Sequence, residues 1–250
     1  MENKSPCCPE GSHGAMKPVP GYKGCEYQIE GDLTLYHVGH GQKAIIFIHD
    51  IFGLNSGRSR HVADEFAEQG YQVFFPDLFR GDTFPDNGKF DGFGDWLKKH
   101  PIKRLTDDVI NHVVPHAKSK GVTSIGLIGF CWGTYVLTHL SILHPEFKAV
   151  VHPHPSFQIF SMVGEDGPAA LTQVHVPQLY LPAGNDAAGL KPDGDLIASL
   201  RKNLGDKVQS VEYPKMQHGW FVRGDIAVAE IAHDYKESFK VALDFFNKYV

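Results

Sequence analysis

One cysteine stands where a short apolar run gives way to a helical pattern, in residues 125–140, IGLIGFCWGTYVLTHL. Cys131 occupies the frame Gly-Phe-Cys-Trp-Gly, whose glycines allow a strand and a helix to approach closely. At the start of a helix, the helix dipole and unpaired N–H groups favour the thiolate over the thiol. The pattern predicts a nucleophile elbow; the alternative is a cysteine that fills a gap in the core as a small hydrophobic residue.

Two further residues follow in the order that a nucleophile elbow requires, first an acid and then a base. Asp186 ends the segment LYLPAGND, where it follows an apolar run and a glycine. His218, in VEYPKMQHGW, falls between the last expected strand and the final helix. The alternative for Asp186 is a simple turn residue, and Asn185 replaces it if the register shifts by one position.

A tetrahedral intermediate also needs hydrogen-bond donors for its oxyanion, usually two main-chain N–H groups. One should belong to the residue that follows the nucleophile, which here is Trp132. The other should come from the loop after an early strand, and IFIHDIFG supplies Ile51 at that position. These two residues are the predicted oxyanion hole.

The elements that must position these groups alternate between strands and helices. Predicted strands are a hairpin in YQIEGDLTLYHVG, then AIIFIHD (44–50), YQVFFPDLF, SIGLIGF, FKAVVHPHP, PQLYLPAGND and VQSVEYP. Predicted helices are 58–70, 102–120, 134–144, 196–204 and 226–249, with a long loop and a short helix in 81–100. This alternation predicts an α/β protein with a mainly parallel sheet and helices on both faces. We expect a single domain over 1–250, with an irregular arm at 1–25.

Composition excludes several classes of function. The 250 residues carry a net charge of −5 without a basic block, which argues against nucleic-acid binding. Apolar stretches are too short for a membrane span, and the N-terminus lacks the apolar centre of a signal peptide. These features predict a cytoplasmic protein. Four cysteines and 15 histidines show no metal-ligand spacing, so no metal is predicted; His152 and His154 are the nearest candidates.

Five motifs together resemble the dienelactone hydrolase family, also called carboxymethylenebutenolidases. HDIFG, PDLFRGD, GFCWG, AGND and HGWFVR occur in the family's order, and the resemblance extends from about Ala44 to the C-terminus. It implies an α/β-hydrolase fold with a triad of Cys131 as nucleophile, His218 as base and Asp186 as the acid that orients the base.

The resemblance also implies roles for three charged residues. Asp50 stands where the family places a glutamate that interacts with the resting thiol and with an arginine matching Arg80. Arg223, five positions after His218, matches a second arginine that helps to bind a substrate carboxylate. Arg80 is expected either to bind that carboxylate together with Arg223 or to serve chiefly as the partner of Asp50. From the residues alone, both arginines would be assigned to surface ion pairs.

The implied reaction is hydrolysis of a small-molecule ester or lactone through a thioester acyl-enzyme, without a cofactor. Phe52, Trp132 and Trp220 would favour a flat or apolar acyl group, although each could equally belong to the core. Two other functions remain open: a non-catalytic binding protein with this fold, and a thiol redox protein that uses Cys131. The second needs the N-terminal arm to bring Cys7 or Cys8 over the site. The sequence predicts neither the substrate nor the oligomeric state.

Overall fold

The computed structural model describes residues 8–85 and 90–250, which form one eight-stranded sheet flanked by helices. The strands β1 to β8 are, in chain order, Cys25–Ile29, Leu33–Val38, Lys43–Ile48, Gln72–Pro76, Ser124–Gly129, Val150–Pro153, Gln178–Leu181 and Val208–Ser210. Their spatial order is β1-β2-β4-β3-β5-β6-β7-β8. β2 pairs antiparallel with both β1 and β4. The other six strands, β3 to β8, run parallel to one another. The predicted α/β class and the mainly parallel sheet are confirmed.

Helices cover both faces of this sheet. The α-helices α1 to α10 are Ser59–Glu68, Phe93–Lys99, Ile102–Asp108, Val114–Ser119, Gly133–Leu143, Ile159–Met162, Gly167–Leu171, Asp195–Leu204, Trp220–Arg223 and Ala229–Tyr249. Along β3, Ile46 and Ile48 join one buried cluster, whereas Ile45 and Phe47 join the cluster on the opposite face. A strand buried on both faces cannot alternate apolar with polar residues, which explains the continuous apolar runs of the central strands.

Two predicted helices differ most from the observed ones, and the short α6 and α7 lie where no helix was predicted. The predicted helix 102–120 is present, but a π-helical turn at Val109–Val113 divides it into α3 and α4. Pro115 lies in the first turn of α4 and has no N–H to donate to the preceding turn, which is consistent with the wider turn there. The terminal helix α10 begins at Ala229 rather than at residue 226, and the short α9 precedes it.

The carboxyl ends of the parallel strands lie at one edge of the sheet and carry the predicted site residues. Asp50 and Ile51 follow β3, Cys131 follows β5, and Asp186 follows β7. Ligands of open α/β sheets bind at this edge, because the loops there diverge to form a crevice. The fold therefore brings together residues that lie more than 130 positions apart in sequence.

His152 on β6 makes the stability of this sheet sensitive to pH. The imidazole is fully buried, its Nε2 lies 2.7 Å from Gln178 Oε1, and its ring stacks on Tyr180. Burial lowers the pKa of His152 to about 4 despite that hydrogen bond. An unfolded histidine titrates near pH 6.5, so the stabilisation is present above pH 6.5 and is lost as the pH falls towards 4.

We predict that the free energy of unfolding decreases by about 2 kcal/mol more in the wild type than in His152→Gln between pH 7.5 and 5. Urea titrations at both pH values measure the difference. The exposed His233→Gln is the control and should retain the wild-type pH dependence. Equal pH dependence in wild type and His152→Gln would show that His152 does not resist protonation in the folded state.

Candidate active site

Cys131 sits in a turn that only a tight strand–helix contact permits. Its φ is 55°, in the left-handed region that non-glycine residues seldom adopt. A Cβ at Gly129 would lie 2.8 Å from the Leu137 side chain, and one at Gly133 would lie 2.9 Å from the Ile48 carbonyl oxygen. Both glycines of the Gly-Phe-Cys-Trp-Gly frame are therefore required for β5, α5 and the end of β3 to pack together. The geometry is that of a nucleophile elbow.

His218 is held by both Asp186 and Asn185, the two residues that the sequence offers for the position of the acid. Its Nδ1 lies 2.5 Å from Asp186 Oδ1, and both side chains are fully buried. The backbone N–H of His218 donates to Asn185 Oδ1 at 2.7 Å. Asp186 Oδ2 accepts the N–H of Ala183 at 2.7 Å, which fixes the carboxylate. Asp186 thus orients the imidazole, while Asn185 orients the backbone of the same histidine.

A serine hydroxyl lies between the imidazole and the thiol. Ser156 Oγ is 3.2 Å from Cys131 Sγ and 3.3 Å from His218 Nε2. The Ser156 N–H also donates to the Cys131 carbonyl at 3.1 Å, so the loop after β6 is tied to the elbow. The imidazole of His154 packs edge-on against that of His218, with ring centroids 5.0 Å apart. Nδ1 of His218 is therefore directed at a carboxylate and Nε2 at the sulfur side of the site.

The charges around His218 favour its protonated form. Burial opposes the imidazolium, but the carboxylate of Asp186 and the sulfurs of Cys131 and Cys8 favour it. The pKa of His218 is consequently raised well above its usual value of 6.5. By contrast, burial and the neighbouring His218 and Arg223 hold the pKa of His154 well below its usual value. A protonated imidazole next to a sulfur is the arrangement that stabilises a thiolate.

A second buried ion pair lies beside the elbow and corrects one sequence expectation. Asp50 pairs with Arg223, and both side chains are fully buried. Asp50 Oδ2 also accepts the Ser56 hydroxyl at 2.7 Å, and Oδ1 accepts the Phe52 N–H at 2.9 Å. The expected pairing of Asp50 with Arg80 is therefore wrong. Burial lowers the pKa of the Arg223 guanidinium, but the charges of Asp50 and Cys131 raise it. The net result is a raised pKa.

Arg80 has different partners. Its guanidinium donates to both oxygens of Asp108, at 2.7 and 2.9 Å, and to the carbonyl of Gly31 at 2.9 Å. The φ of Arg80 is 53°, so the turn after Phe79 directs its side chain towards α3. This is the ion pair that the residues alone would suggest.

The two expected oxyanion donors lie in adjacent segments. The Phe130 N–H donates to the Ile48 carbonyl at 3.1 Å, which joins the elbow to the end of the strand that precedes Ile51. Trp132 is buried and stacks on His49. Trp220, in contrast, is packed in the cluster on the other face of the sheet, where its ring contacts Tyr213. Trp220 thus belongs to the core, which was one of its two expected positions.

The N-terminal arm covers the elbow and brings Cys8 to it. Cys8 Sγ lies 3.8 Å from Cys131 Sγ, and Cys8 is only 4% exposed. In the sequence, this contact is signalled only by two consecutive cysteines in the arm, Cys7 and Cys8. Cys7 lies outside the described residues. Sequence reasoning missed Ser156 and His154 as site neighbours, although both belong to the HPHPS motif. In the sequence, two such residues after a strand look like ordinary loop residues.

Known proteins of one family are similar to this chain over most of its length. The dienelactone hydrolase family model matches residues 34–250. The chain belongs to the dienelactone hydrolase family. A carboxymethylenebutenolidase homolog from Xenopus tropicalis is 31% identical, with 92% of each chain covered. The hydrolase tropI from Talaromyces stipitatus is 28% identical over 98% of this chain and 96% of its own.

Solved structures agree on the fold of this dienelactone hydrolase family member. A putative dienelactone hydrolase from Klebsiella pneumoniae superposes with a TM-score of 0.69 at 20% identity, covering 92% of this chain and all of the other. A dienelactone hydrolase from Anabaena variabilis gives a TM-score of 0.63 at 17% identity, with 92% and 100% covered. The predicted α/β-hydrolase fold is confirmed, and the protein is a hydrolase of the dienelactone hydrolase type. Within the described residues, none of the helices has the length and apolar character needed to cross a membrane.

Proposed function

We propose that this hydrolase cleaves small esters or lactones with Cys131 as nucleophile, His218 as proton carrier and Asp186 as the group that orients His218. The observation that carries the proposal is the position of the His218 imidazole. Its Nδ1 is fixed by Asp186 at 2.5 Å, and its Nε2 faces the Ser156 hydroxyl that contacts the Cys131 thiol. A nucleophile, a base and an orienting carboxylate in this relation form a catalytic triad.

Acylation begins from a thiolate and an imidazolium, the protonation state that the raised pKa of His218 favours. The Cys131 sulfur attacks the ester carbonyl, and the carbonyl oxygen becomes an oxyanion near the N–H groups of Ile51 and Trp132. When the tetrahedral intermediate collapses, the carbon–oxygen bond breaks and His218 donates its proton to the leaving alkoxide. A thioester acyl-enzyme and an alcohol result; with a lactone, the alcohol remains part of the acyl group.

Deacylation uses the imidazole that acylation leaves neutral. His218 accepts a proton from water as the water attacks the thioester, and collapse of the second intermediate expels the Cys131 thiolate. The carboxylic acid departs and the thiolate–imidazolium pair is restored. Ser156 lies within hydrogen-bond distance of both Cys131 and His218, so its hydroxyl is suited to hold their alignment between the two half-reactions.

A carboxylate-bearing substrate is supported by Arg223. Its Nη2 is buried and has no hydrogen-bond partner among the described residues, whereas Nη1 binds Asp50. The guanidinium lies 5.1 Å from the Phe52 ring centroid, next to the loop that carries Ile51. Several relatives are carboxymethylenebutenolidase homologs, a name that describes a lactone bearing a carboxylate. We therefore propose that Arg223, rather than Arg80, recognises an acidic group on the substrate.

Replacing the nucleophile tests the proposed chemistry. We predict that Cys131→Ala lowers kcat/KM for a small aryl ester by about 10⁴-fold or more, because the remaining groups cannot form the acyl-enzyme. Cys25→Ala, which changes an exposed cysteine on β1, should retain wild-type turnover. Full activity in Cys131→Ala, together with its loss in Ser156→Ala, would assign the nucleophile to Ser156 instead.

The substrate preference is tested with one acidic ester and one neutral ester of equal size. We predict that the wild type prefers the acidic ester by about 10- to 100-fold in kcat/KM, the range expected for a charge-assisted hydrogen bond. The double variant Asp50→Asn/Arg223→Met should lose this preference without leaving a buried charge unpaired. Arg80→Met should keep it, because Arg80 binds Asp108. An equal loss for both esters in the double variant would contradict carboxylate recognition.

A further inference from the structure

The side chains of Cys8, Cys131 and His218 form a cluster at the elbow, and the proposed hydrolysis uses only two of them. The ligand atoms of Cys8, Cys131 and His218 all lie within 4.8 Å of one another, and all three residues are buried. Cys131 and His218 belong to the proposed triad, but Cys8 has no role in it.

The position of Cys8 is fixed by hydrogen bonds between the arm and the site. The Asn185 side chain donates to the Glu10 carbonyl at 2.9 Å. His13 donates its N–H to the His218 carbonyl at 2.8 Å and accepts from Arg223 Nε at 3.0 Å. Farther along, the Gly57 N–H donates to the Met16 carbonyl at 2.9 Å. The arm is thus attached to residues of the site itself, and Cys8 is not placed there by an isolated contact.

Two sulfurs and an imidazole nitrogen are ligands that Zn²⁺ prefers. Two thiolates on one tetrahedral Zn²⁺, with Zn–S bonds of about 2.3 Å, are separated by about 3.8 Å. The sulfurs of Cys8 and Cys131 are 3.8 Å apart. This separation is that of an S–H···S hydrogen bond in the metal-free protein, is longer than a disulfide bond, and also matches the spacing of two sulfurs on one zinc ion.

The surroundings of His218 suit the same ion. Histidine ligands of zinc usually donate their second ring N–H to a carboxylate, which fixes the tautomer and the ring. The contact of Nδ1 with Asp186 at 2.5 Å leaves Nε2 on the sulfur side as the ligand atom. Two thiolates and a neutral imidazole also balance the charge of Zn²⁺, as a buried site requires. Three protein ligands leave a fourth coordination position for water.

We propose that Cys8, Cys131 and His218 form a Zn²⁺ site that reversibly inhibits the enzyme. Binding releases two protons to solvent, one from Nε2 of His218 and one from the Cys8 thiol, and forms Zn–S bonds to both sulfurs and a Zn–N bond to Nε2. Neither the Cys131 nucleophile nor the His218 proton carrier is then available. The N-terminal arm supplies the third ligand. The inhibitory effect rests on the proposed function of Cys131, whereas the metal site itself does not.

Zinc titration of the full-length, reduced, metal-free protein tests the site. We expect one Zn²⁺ per chain by calorimetry, loss of ester turnover in proportion to occupancy, and recovery with EDTA. Cys8→Ser should bind Zn²⁺ about 100-fold more weakly or worse, and its turnover should not fall at Zn²⁺ concentrations that inhibit the wild type. Cys25→Ser is the matched control and should bind and respond as the wild type does.

Co²⁺ provides a readout that does not depend on activity. The wild type loaded with Co²⁺ should show thiolate-to-metal charge-transfer absorption, reduced in Cys8→Ser and unchanged in Cys25→Ser. Absence of stoichiometric Zn²⁺ binding in the wild type, or unchanged affinity in Cys8→Ser, would overturn the site. Loss of binding in Cys7→Ser but not in Cys8→Ser would overturn the assignment of the third ligand.

The two proposals fail in different ways. If the metal-free wild type binds Zn²⁺ through Cys8 but hydrolyses no ester, the proposed function is wrong and the metal site stands. If the metal-free wild type hydrolyses esters and Zn²⁺ neither binds nor inhibits, the metal site is wrong and the hydrolase stands. Inactivation by disulfide-forming reagents without any Zn²⁺ binding likewise contradicts the metal site.

Discussion

The close contact between β5 and α5 is the constraint on which the rest of the site depends. Gly129 and Gly133 leave no room for a Cβ, and the chain between them reverses at Cys131 with a φ of 55°. An unfavourable backbone conformation persists only where surrounding packing determines it. Here the packing comes from the end of β3, because a Cβ at Gly133 would lie 2.9 Å from the Ile48 carbonyl oxygen, and the same strand leads into Asp50 and Ile51. One steric contact therefore sets Cys131 next to the loop that carries Asp50 and Ile51.

Charge balance is the second physical theme of the site. Asp50 and Arg223 neutralise each other without solvent, and Asp186 compensates a protonated His218. A buried charge without a partner costs several kcal/mol, so these groups form a coupled set in which removal of one member perturbs the others. Such a set keeps the sulfur of Cys131 beside two cationic groups.

The sequence was sufficient for the fold class, because apolar runs and helical spacing report burial directly. It was also sufficient to find Cys131, Asp186 and His218 as candidates, since the elbow frame imposes local spacing and the other two follow strand ends. It failed for Arg80, whose pairing depends on the direction of a turn with positive φ rather than on its position after a strand. It could not place Cys8, because 123 positions separate that residue from Cys131 and no periodicity links an irregular arm to an elbow.

The most direct test of the account is the identity of the atom that carries the acyl group. His218→Ala, mixed with an activated aryl ester whose leaving group needs no protonation, should accumulate acyl-enzyme because deacylation lacks its base. Acid quenching and peptide mass spectrometry should find the added acyl mass on the peptide that contains Cys131, and neutral hydroxylamine should remove it as a thioester. An acyl group on Ser156, or turnover without any adduct on Cys131, would contradict the account.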